Sequence, residues 1–203
     1  GGVLYEVDTR LRPSGGSGLL VSGINSFEEY QRNKAWTWEH QAIIRARPIY
    51  GSADLIQKFA DIRQSILQTA RKPGDLLNDV VEMRARMRKE LLKASADEFD
   101  LKQGYGGVTD IEFIIQYLVL RWANKHESLC KYTDNLRILE NLAKLGLLAE
   151  DDAKMLADAY LAYRHKTHEL VLQNKKAIVP QGGDFSEFRS EVSRIWRDIM
   201  GDY

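Results

Sequence analysis

Three charged residues at alternating positions near the start of the chain are the first candidates for chemistry. They are Asp8, Arg10 and Arg12. In an extended strand, residues two apart share one face and lie roughly 6 to 7 Å apart. A carboxylate is a hard ligand for Mg²⁺, and guanidinium groups match phosphate oxygens. The pattern favours a site for a metal-bound phosphate, and its alternative is a solvent-facing strand with an Asp–Arg surface pair.

A glycine-rich bend before an apolar helix is the second candidate. Lys102 opens the bend, Gly104, Gly106 and Gly107 follow, and Asp110 and Glu112 come next. Because anions bind well at helix N-termini, Lys102 can reach a phosphate there while Asp110 or Glu112 faces a cation or an arginine. The alternative is a structural cap whose glycines allow close helix packing.

Two charged helical segments have structural interpretations that we prefer. In the segment 36–40 (Trp-Thr-Trp-Glu-His) with Arg45 and Arg47, core tryptophans and a satisfied Glu–Arg pair explain the pattern. The basic helix is expected to be a solvated face, with a docking surface for an acidic partner as its alternative. Its basic residues are Arg84, Arg86, Arg88, Lys89 and Lys93.

The remaining candidates carry weaker signals. The loop 15–18 matches neither a P-loop nor a dinucleotide fingerprint, which favours a hairpin turn. His165 and His168 share a helix face, but no third metal ligand accompanies them, and Cys130 is expected to be a packing residue.

The elements that must position these residues are mostly helices. Alternation predicts a strand over residues 3–12 and a short return strand over 19–22. Helices are then predicted for about 26–33, 37–47, 52–67 and 75–91, and for 109–122, 133–145, 150–174 and 186–200. The expected N-terminal caps of four of them are Ser26, Ser52, Thr109 and Thr133. The helix over 109–122 is apolar almost all round, which predicts the central helix of a bundle.

Composition limits the class of protein. The 203 residues carry 29 basic and 29 acidic side chains, so net charge gives no argument for binding nucleic acid or an anionic membrane. The longest apolar stretch, residues 113–120, is too short to span a bilayer. A single cysteine fits a reducing compartment, so we expect a cytoplasmic location. The chain opens Gly1-Gly2-Val3 and is interpreted as a fragment of something larger.

Four segments together resemble the glutamine synthetase adenylyltransferase family. They are residues 5–15 (Tyr-Glu-Val-Asp-Thr-Arg-Leu-Arg-Pro-Ser-Gly), residues 30–33 with 35–42, the Arg-Ala-Arg of 45–47, and residues 106–113 (Gly-Gly-Val-Thr-Asp-Ile-Glu-Phe). The segment at 13–14 and that at 36–40 look more like the C-terminal, adenylylating half of such enzymes than the deadenylylating half.

The resemblance implies a mainly α fold. Residues 1–50 would form the C-terminal part of a polymerase-β-type nucleotidyltransferase domain, with a short N-terminal β-strand remnant. Residues 51–203 would form a helical bundle domain shared with the PII uridylyltransferases.

The resemblance also implies roles for particular residues. Asp8 matches the third carboxylate of the nucleotidyltransferase metal site, so it would bind Mg²⁺ and help deprotonate a tyrosine hydroxyl of glutamine synthetase that attacks ATP. Arg10 and Arg12 would neutralise the triphosphate, and Lys102 and Asp110 would face the site from the helical domain. The other two carboxylates are missing, so the 203 residues alone are expected to be inactive.

The implied partners are glutamine synthetase as protein substrate, the PII signal protein, and glutamine as an effector, with no nucleic acid and no membrane. The alternative, from a different functional class, is a non-catalytic helical regulatory or docking module that binds glutamine synthetase or PII. A piece of a PII uridylyltransferase is a third possibility, which fits residues 36–40 poorly.

Overall fold

The architecture is helical, as predicted. The structure is a computed structural model that describes residues 8–9 and 12–202. Their helices are α1 (Ile24–Asn33), α2 (Thr37–Ile44), α3 (Ala53–Leu67), α4 (Pro73–Leu91), α5 (Val108–Trp122), α6 (Asn135–Lys144), α7 (Glu150–Leu172) and α8 (Ser186–Met200). Two short strands, β1 (Glu98–Asp100) and β2 (Ile178–Pro180), complete the regular structure of this part of the chain.

Helix α5 lies at the centre of the molecule, which confirms its predicted position. Ile111, Ile114, Ile115 and Val119 are completely withdrawn from solvent. The helix packs against α2, α4, α6, α7 and α8. An apolar helix with no solvent-facing side is stable only when neighbours surround it, and these five helices do so.

Helix α2 joins the first part of the chain to this core. It packs on α3, α4 and α5, and its Ile43 and Ile44 belong to the same buried cluster as the residues of α5. The segments on either side of residue 50 therefore share one hydrophobic core.

A two-stranded antiparallel sheet fixes the connection between α4 and α5. Phe99 of β1 lies opposite Val179 of β2. The Phe99 ring also contacts Tyr163 of α7, with ring centroids 5.7 Å apart, and Tyr163 contacts Phe185 beside α8 at 5.6 Å. The sequence predicted only a bent, partly extended connection here, because the partner strand lies almost eighty residues later.

Several helix ends differ from the predicted ones. Helix α1 begins at Ile24 with Gly23 as its N-cap, so Ser26 is not the capping residue. Helix α5 begins at Val108, one residue before Thr109, which lies buried inside the helix, and Asp134 rather than Thr133 caps α6. Ser52 caps α3 as predicted, with its hydroxyl oxygen accepting from the Leu55 N–H.

The predicted return strand over residues 19–22 is wrong. This segment has no strand structure, and Leu19, Leu20 and Val21 are all exposed. A short apolar run forms a strand only where a neighbouring strand pairs with it, and none of the described residues does so. The predicted strand over 3–12 lies outside the described residues except for Asp8, Thr9 and Arg12.

No helix of the described chain combines the length and the apolar character needed to cross a bilayer.

Candidate functional site

The structure describes two of the three charged residues near the start of the chain, Asp8 and Arg12. The Asp8 side chain is exposed, Arg10 lies outside the described residues, and Arg12 is half-buried. The shared strand face predicted for the three is therefore a prediction that the described residues leave open.

Arg12 is positioned by the loop that follows it. Ser14 adopts left-handed backbone angles, and residues 15–17 form one 3₁₀ turn. The turn brings backbone carbonyls back toward Arg12, whose guanidinium donates to the carbonyl oxygens of Gly16 at 3.4 Å, Gly18 at 3.3 Å and Thr9. The loop predicted to be a hairpin turn is thus a compact turn that holds the Arg12 side chain.

Arg12 lines a cleft of about 320 Å³ formed mainly by α1, α2 and α3. Gln31 and Glu39 supply polar groups, and Arg47 supplies a second guanidinium. The remaining described lining residues are apolar: Pro13, Phe27, Ala42, Ile43, Ala46 and Phe59. Neither Lys102 nor Asp110 is among these residues. Of the predicted site residues that the structure describes, Arg12 is the one that lines this cleft.

Gln31, which the sequence analysis missed, is an unsatisfied polar group beside this cleft. The residue is only 6% exposed, and its Oε1 accepts no hydrogen bond from the described residues. Buried amide oxygens normally have a partner, so an unmet acceptor next to a cleft needs an explanation. The available signal was spacing, because Gln31 lies four residues after Phe27 and therefore on the same face of α1.

Glu39 organises the start of α2. Its Oε2 accepts from the Trp36 N–H at 2.9 Å, and its Oε1 accepts from the Tyr30 hydroxyl at 2.8 Å. The prediction that the tryptophans are core residues is wrong, because Trp36 is 70% exposed and Trp38 is 38% exposed. The Glu39 carboxylate accepts hydrogen bonds from a backbone N–H and a tyrosine hydroxyl, rather than pairing with an arginine as expected.

His40 and Arg71 form a second polar contact behind α2. The His40 Nε2 lies 2.9 Å from the Gln31 carbonyl oxygen, and Arg71 Nη2 lies 3.3 Å from His40 Nδ1. These contacts assign the proton to Nε2, with Nδ1 accepting from Arg71. Burial, together with the nearby Arg71 charge, lowers the pKa of His40 below its ordinary value, although the Gln31 carbonyl and Glu39 oppose the shift. His40 is therefore a neutral, positioned side chain at neutral pH.

The basic side chains of α4, all predicted to face solvent, lie partly at the surface and partly in the core. Arg86 is exposed as predicted, but Arg84 and Arg88 are buried. The solvated-face interpretation is wrong for these two residues, because they continue the i, i+4 series of Leu76 and Val80. The spacing indicated that Arg84 and Arg88 share the buried face of α4, but arginine is usually exposed, so the sequence analysis assigned them to solvent.

Asp110 neutralises part of this buried charge. Its Oδ1 accepts from Arg84 Nε at 2.6 Å and from Arg88 Nη2 at 2.7 Å, and its Oδ2 accepts from the Gly106 N–H at 2.7 Å. Asp110 is completely buried. The geometry favours the alternative in which Asp110 faces an arginine and holds the bend, while direct contact with a nucleotide stays a prediction.

Lys102 lies on the outside of that bend. The Asp100 Oδ1 accepts from the N–H groups of Lys102 and Gln103 at 2.9 and 2.8 Å, which fixes the backbone while the Lys102 side chain remains exposed. Gly106 contacts α8, where an added Cβ would lie 2.4 Å from the Arg189 carbonyl oxygen. The glycines therefore allow close helix packing, as the structural alternative expected.

Arg63 is another buried group that the sequence analysis missed. Its guanidinium donates to the carbonyl oxygens of Ile43 at 3.0 Å, Ile44 at 2.5 Å, Cys130 at 2.5 Å and Tyr132 at 3.2 Å. It thus satisfies carbonyls at the end of α2 and in the segment before α6. Its position four residues after Phe59 was the available signal.

The minor candidates behave as structural residues. Cys130 is buried, as expected for packing, and burial raises the pKa of its thiol to about 11 despite the Arg63 charge. His165 and His168 are exposed on α7. Within residues 8–9 and 12–202, no three His, Cys, Asp or Glu side chains gather as potential metal ligands.

Comparison with known proteins agrees with the resemblance in the sequence. The family model described as glutamate-ammonia ligase adenylyltransferase matches residues 1–62, and that of GlnD PII-uridylyltransferase matches residues 76–178. The bifunctional glutamine synthetase adenylyltransferase/adenylyl-removing enzymes of Nitrosococcus oceani and Shewanella woodyi are 51% and 53% identical over 99% of this chain. The corresponding enzyme of Pseudomonas aeruginosa is 46% identical over 98% of it.

The chain covers 21% of each of these three relatives, so it spans about a fifth of their length. The identity extends across both family matches rather than being confined to one motif. The chain therefore belongs to the glutamine synthetase adenylyltransferase family, and its residues 76–178 correspond to the helical segment described by the PII-uridylyltransferase model.

Proposed function

We propose that the intact enzyme containing this chain transfers AMP from ATP to a tyrosine of glutamine synthetase. The observation that carries the proposal is the identity of 46–53% over nearly the whole chain to enzymes named for this activity. The chain contributes part of the C-terminal, adenylylating half. Residues 1–50 belong to its polymerase-β-type nucleotidyltransferase domain, and residues 51–203 form its helical domain.

Asp8 is the proposed catalytic carboxylate. Its side chain is exposed, so it is accessible to a substrate. Mg²⁺ is commonly held by one or two carboxylates together with substrate phosphates and, when bound, stabilises charge on the phosphate oxygens. Asp8 fits one ligand position, but the described residues do not form a complete magnesium site. We therefore assign Asp8 a place in a site shared with the rest of the intact enzyme.

Four further residues have proposed roles near the triphosphate. Arg12 is supported by its position at the cleft and by the loop that holds its guanidinium. Arg10 would act beside it on the same strand face. Lys102 is supported by its exposure on a fixed bend, and Asp110 would act by holding that bend through Arg84 and Arg88.

The proposed partners follow from the family. Glutamine synthetase is the protein substrate, and PII and glutamine are the expected regulators that act through the helical domain. A cytoplasmic location follows from that substrate. The 203 residues alone are proposed to lack adenylylating activity, because one carboxylate does not complete a two-metal arrangement for phosphoryl transfer.

Adenylylation of glutamine synthetase tests the proposal directly. The full-length parent enzyme, its Asp8→Asn variant and the isolated 203-residue chain are each incubated with ATP and glutamine synthetase, whose intact mass is then measured. We expect AMP addition by the native parent only. The matched control is Asp184→Asn, which alters an exposed aspartate far along the sequence and should leave activity unchanged.

The outcomes separate the candidate functions. Full activity of Asp8→Asn would remove Asp8 from the catalytic site and favour the docking module. No AMP addition by the native parent would overturn the proposed activity. Circular dichroism of each protein establishes that a loss of activity is not a loss of folding.

A further inference from the structure

We infer that Arg47 is a second phosphate-binding residue, which acts with Arg12 to bind the pyrophosphate part of ATP at the cleft between α1, α2 and α3. This inference rests on the proposed function for the use of ATP, and it adds a residue and the part of the substrate that this residue binds. Arg12 precedes α1 and Arg47 follows α2, yet both line the same cleft of about 320 Å³.

The first argument is that the charge of Arg47 is available to a ligand. Its side chain is exposed, and it makes no hydrogen bond or ion pair with the rest of the described chain. Arg45, two residues earlier, differs because its guanidinium pairs with the Glu112 carboxylate at 2.5 Å. Arg45 therefore has a structural partner, whereas Arg47 faces the cleft with its donors unused.

The second argument is the balance of charge around the cleft. Arg12 donates to three backbone carbonyl oxygens, so no carboxylate of the described chain neutralises it. Of the lining residues that the structure describes, Glu39 alone is acidic, and it is only 8% exposed. Its two carboxylate oxygens already accept from a tyrosine hydroxyl and a backbone N–H. Two guanidinium groups therefore outweigh one occupied carboxylate, and the cleft favours an anion.

The third argument is the chemistry of the two side chains and their surroundings. A guanidinium offers parallel N–H donors in a planar fork that matches the oxygens of a phosphate group. Most other lining residues are apolar, among them Phe27, Ile43 and Phe59. Apolar walls lower the local dielectric constant, which strengthens a hydrogen bond between charged groups. Two such arginines at one cleft suit a ligand with two linked phosphates.

The fourth argument is the position of the cleft relative to Asp8, the proposed catalytic carboxylate. The Arg12 guanidinium donates to the carbonyl oxygen of Thr9, the residue next to Asp8. In AMP transfer, the tyrosine oxygen bonds to the α-phosphorus and its proton passes to a base. The bond from the α-phosphorus to the bridging oxygen breaks, and pyrophosphate leaves with that electron pair. Negative charge therefore increases on the group that Arg12 and Arg47 bind.

The experiment separates the pyrophosphate part of ATP from the rest of the nucleotide. Binding of pyrophosphate, AMP and ATP to the full-length enzyme is measured by calorimetry, and the KM values for ATP and for glutamine synthetase are measured by adenylylation. The variants are Arg47→Gln, which removes the charge, and Arg47→Lys, which keeps the charge without the planar fork. The matched control is Arg197→Gln, at another exposed arginine, on α8.

We expect Arg47→Gln to weaken pyrophosphate binding and to raise the KM for ATP about tenfold, the effect of one charge-assisted hydrogen bond. Its affinity for AMP should change by less than about twofold, because AMP lacks the group that Arg47 binds. Arg47→Lys should recover part of the loss, and Arg197→Gln should match the native enzyme with every ligand. The thermal unfolding temperature should be unchanged in all variants, because both positions are exposed.

Native affinity for pyrophosphate in Arg47→Gln would overturn the inference. Equal losses of AMP and pyrophosphate binding, or a lower unfolding temperature, would also overturn it, because Arg47 would then maintain the structure of the cleft. A raised KM for glutamine synthetase with an unchanged KM for ATP would assign Arg47 to the protein substrate instead. If pyrophosphate binding depends on Arg47 but the native enzyme adds no AMP to glutamine synthetase, the proposed function fails and the phosphate site stands.

Discussion

The carboxylate of Asp110 lies 2.6 Å from Arg84 Nε, and neither side chain has any exposure to solvent. Arg88 approaches the same carboxylate oxygen at 2.7 Å and places its guanidinium 3.9 Å from the centroid of the Tyr105 ring. One carboxylate therefore joins two arginines of α4 to the first turn of α5. The contact also fixes the bend that carries Lys102.

Removal of the Asp110 charge should destabilise the fold strongly. Asp110→Asn would leave two buried guanidinium groups without a counter-charge, and breaking such a buried pair costs about 3–5 kcal/mol. Urea unfolding followed by circular dichroism measures the loss. Glu82→Gln is the control, because Glu82 pairs with Arg86 at the surface and its loss should change the free energy of unfolding by less than about 1 kcal/mol. Equal effects of the two substitutions would contradict a structural role for Asp110.

Gly106→Ala should be more harmful than Gly146→Ala. Both glycines have positive φ, 78° and 66°, so an alanine is strained at either position. The added Cβ meets the Arg189 carbonyl oxygen at 2.4 Å in Gly106→Ala but nothing within 4 Å in Gly146→Ala. We expect a loss of about 1 kcal/mol for Gly146→Ala from backbone strain alone and at least about 2 kcal/mol for Gly106→Ala. Thermal unfolding of the two variants checks the difference, and a larger loss for Gly146→Ala would show that the contact with α8 is not tight.

His40 should make stability depend on pH. Its pKa is lowered in the folded chain, chiefly by burial, so the unfolded chain binds a proton more readily near the ordinary value of 6.5. The stabilising contribution of neutral His40 is therefore present above pH 6.5 and is lost as the pH falls toward the lower folded pKa.

The measurement is the free energy of unfolding at pH 7.5 and at pH 5.5 for the native chain, for His40→Asn and for His165→Asn. The native chain and His165→Asn, altered at an exposed position, should both lose stability at the lower pH. His40→Asn should lose less. An identical pH dependence in all three proteins would show that His40 does not govern it.

Cys130 should react slowly with thiol reagents while the chain is folded. Burial raises the pKa of its thiol from 9.0 to about 11, which lowers the thiolate fraction at pH 8 roughly a hundredfold. Since the chain has a single cysteine, labelling with iodoacetamide followed by mass spectrometry gives the rate for this residue directly. Addition of urea should raise the rate to that of an unfolded peptide. Rapid labelling of the folded chain would contradict the buried position.

The sequence predicted those parts of the fold that depend on local patterns. The apolar surround of α5 identified the central helix, and Ser52 identified the start of α3, because both signals lie within a few residues. The paired strands β1 and β2 were missed as a sheet, since Phe99 and Val179 are far apart along the chain and neither strand exceeds three residues. Short strands carry too few residues for alternation to be recognised.

The candidate site was predicted less completely, for a related reason. Arg84 and Arg88 were assigned to solvent because arginine is usually exposed, whereas their burial depends on Asp110, which is 26 and 22 residues away. Gln31 carries no motif, and its significance comes from an unmet acceptor that only a three-dimensional arrangement reveals. Arg12 was singled out because a charged residue at a regular spacing can be recognised without its surroundings, and its proposed role in binding phosphate stays a prediction.

Arg63 connects two separate parts of the chain through the four backbone carbonyl oxygens that accept its hydrogen bonds. Two belong to the end of α2, which lines the cleft, and two belong to the segment that leads into α6. Because one guanidinium holds both, the wall of the cleft is tied to the segment before α6 by a single side chain rather than by the backbone between them. Loss of that guanidinium would therefore release the two segments from each other and leave their carbonyl oxygens without this donor.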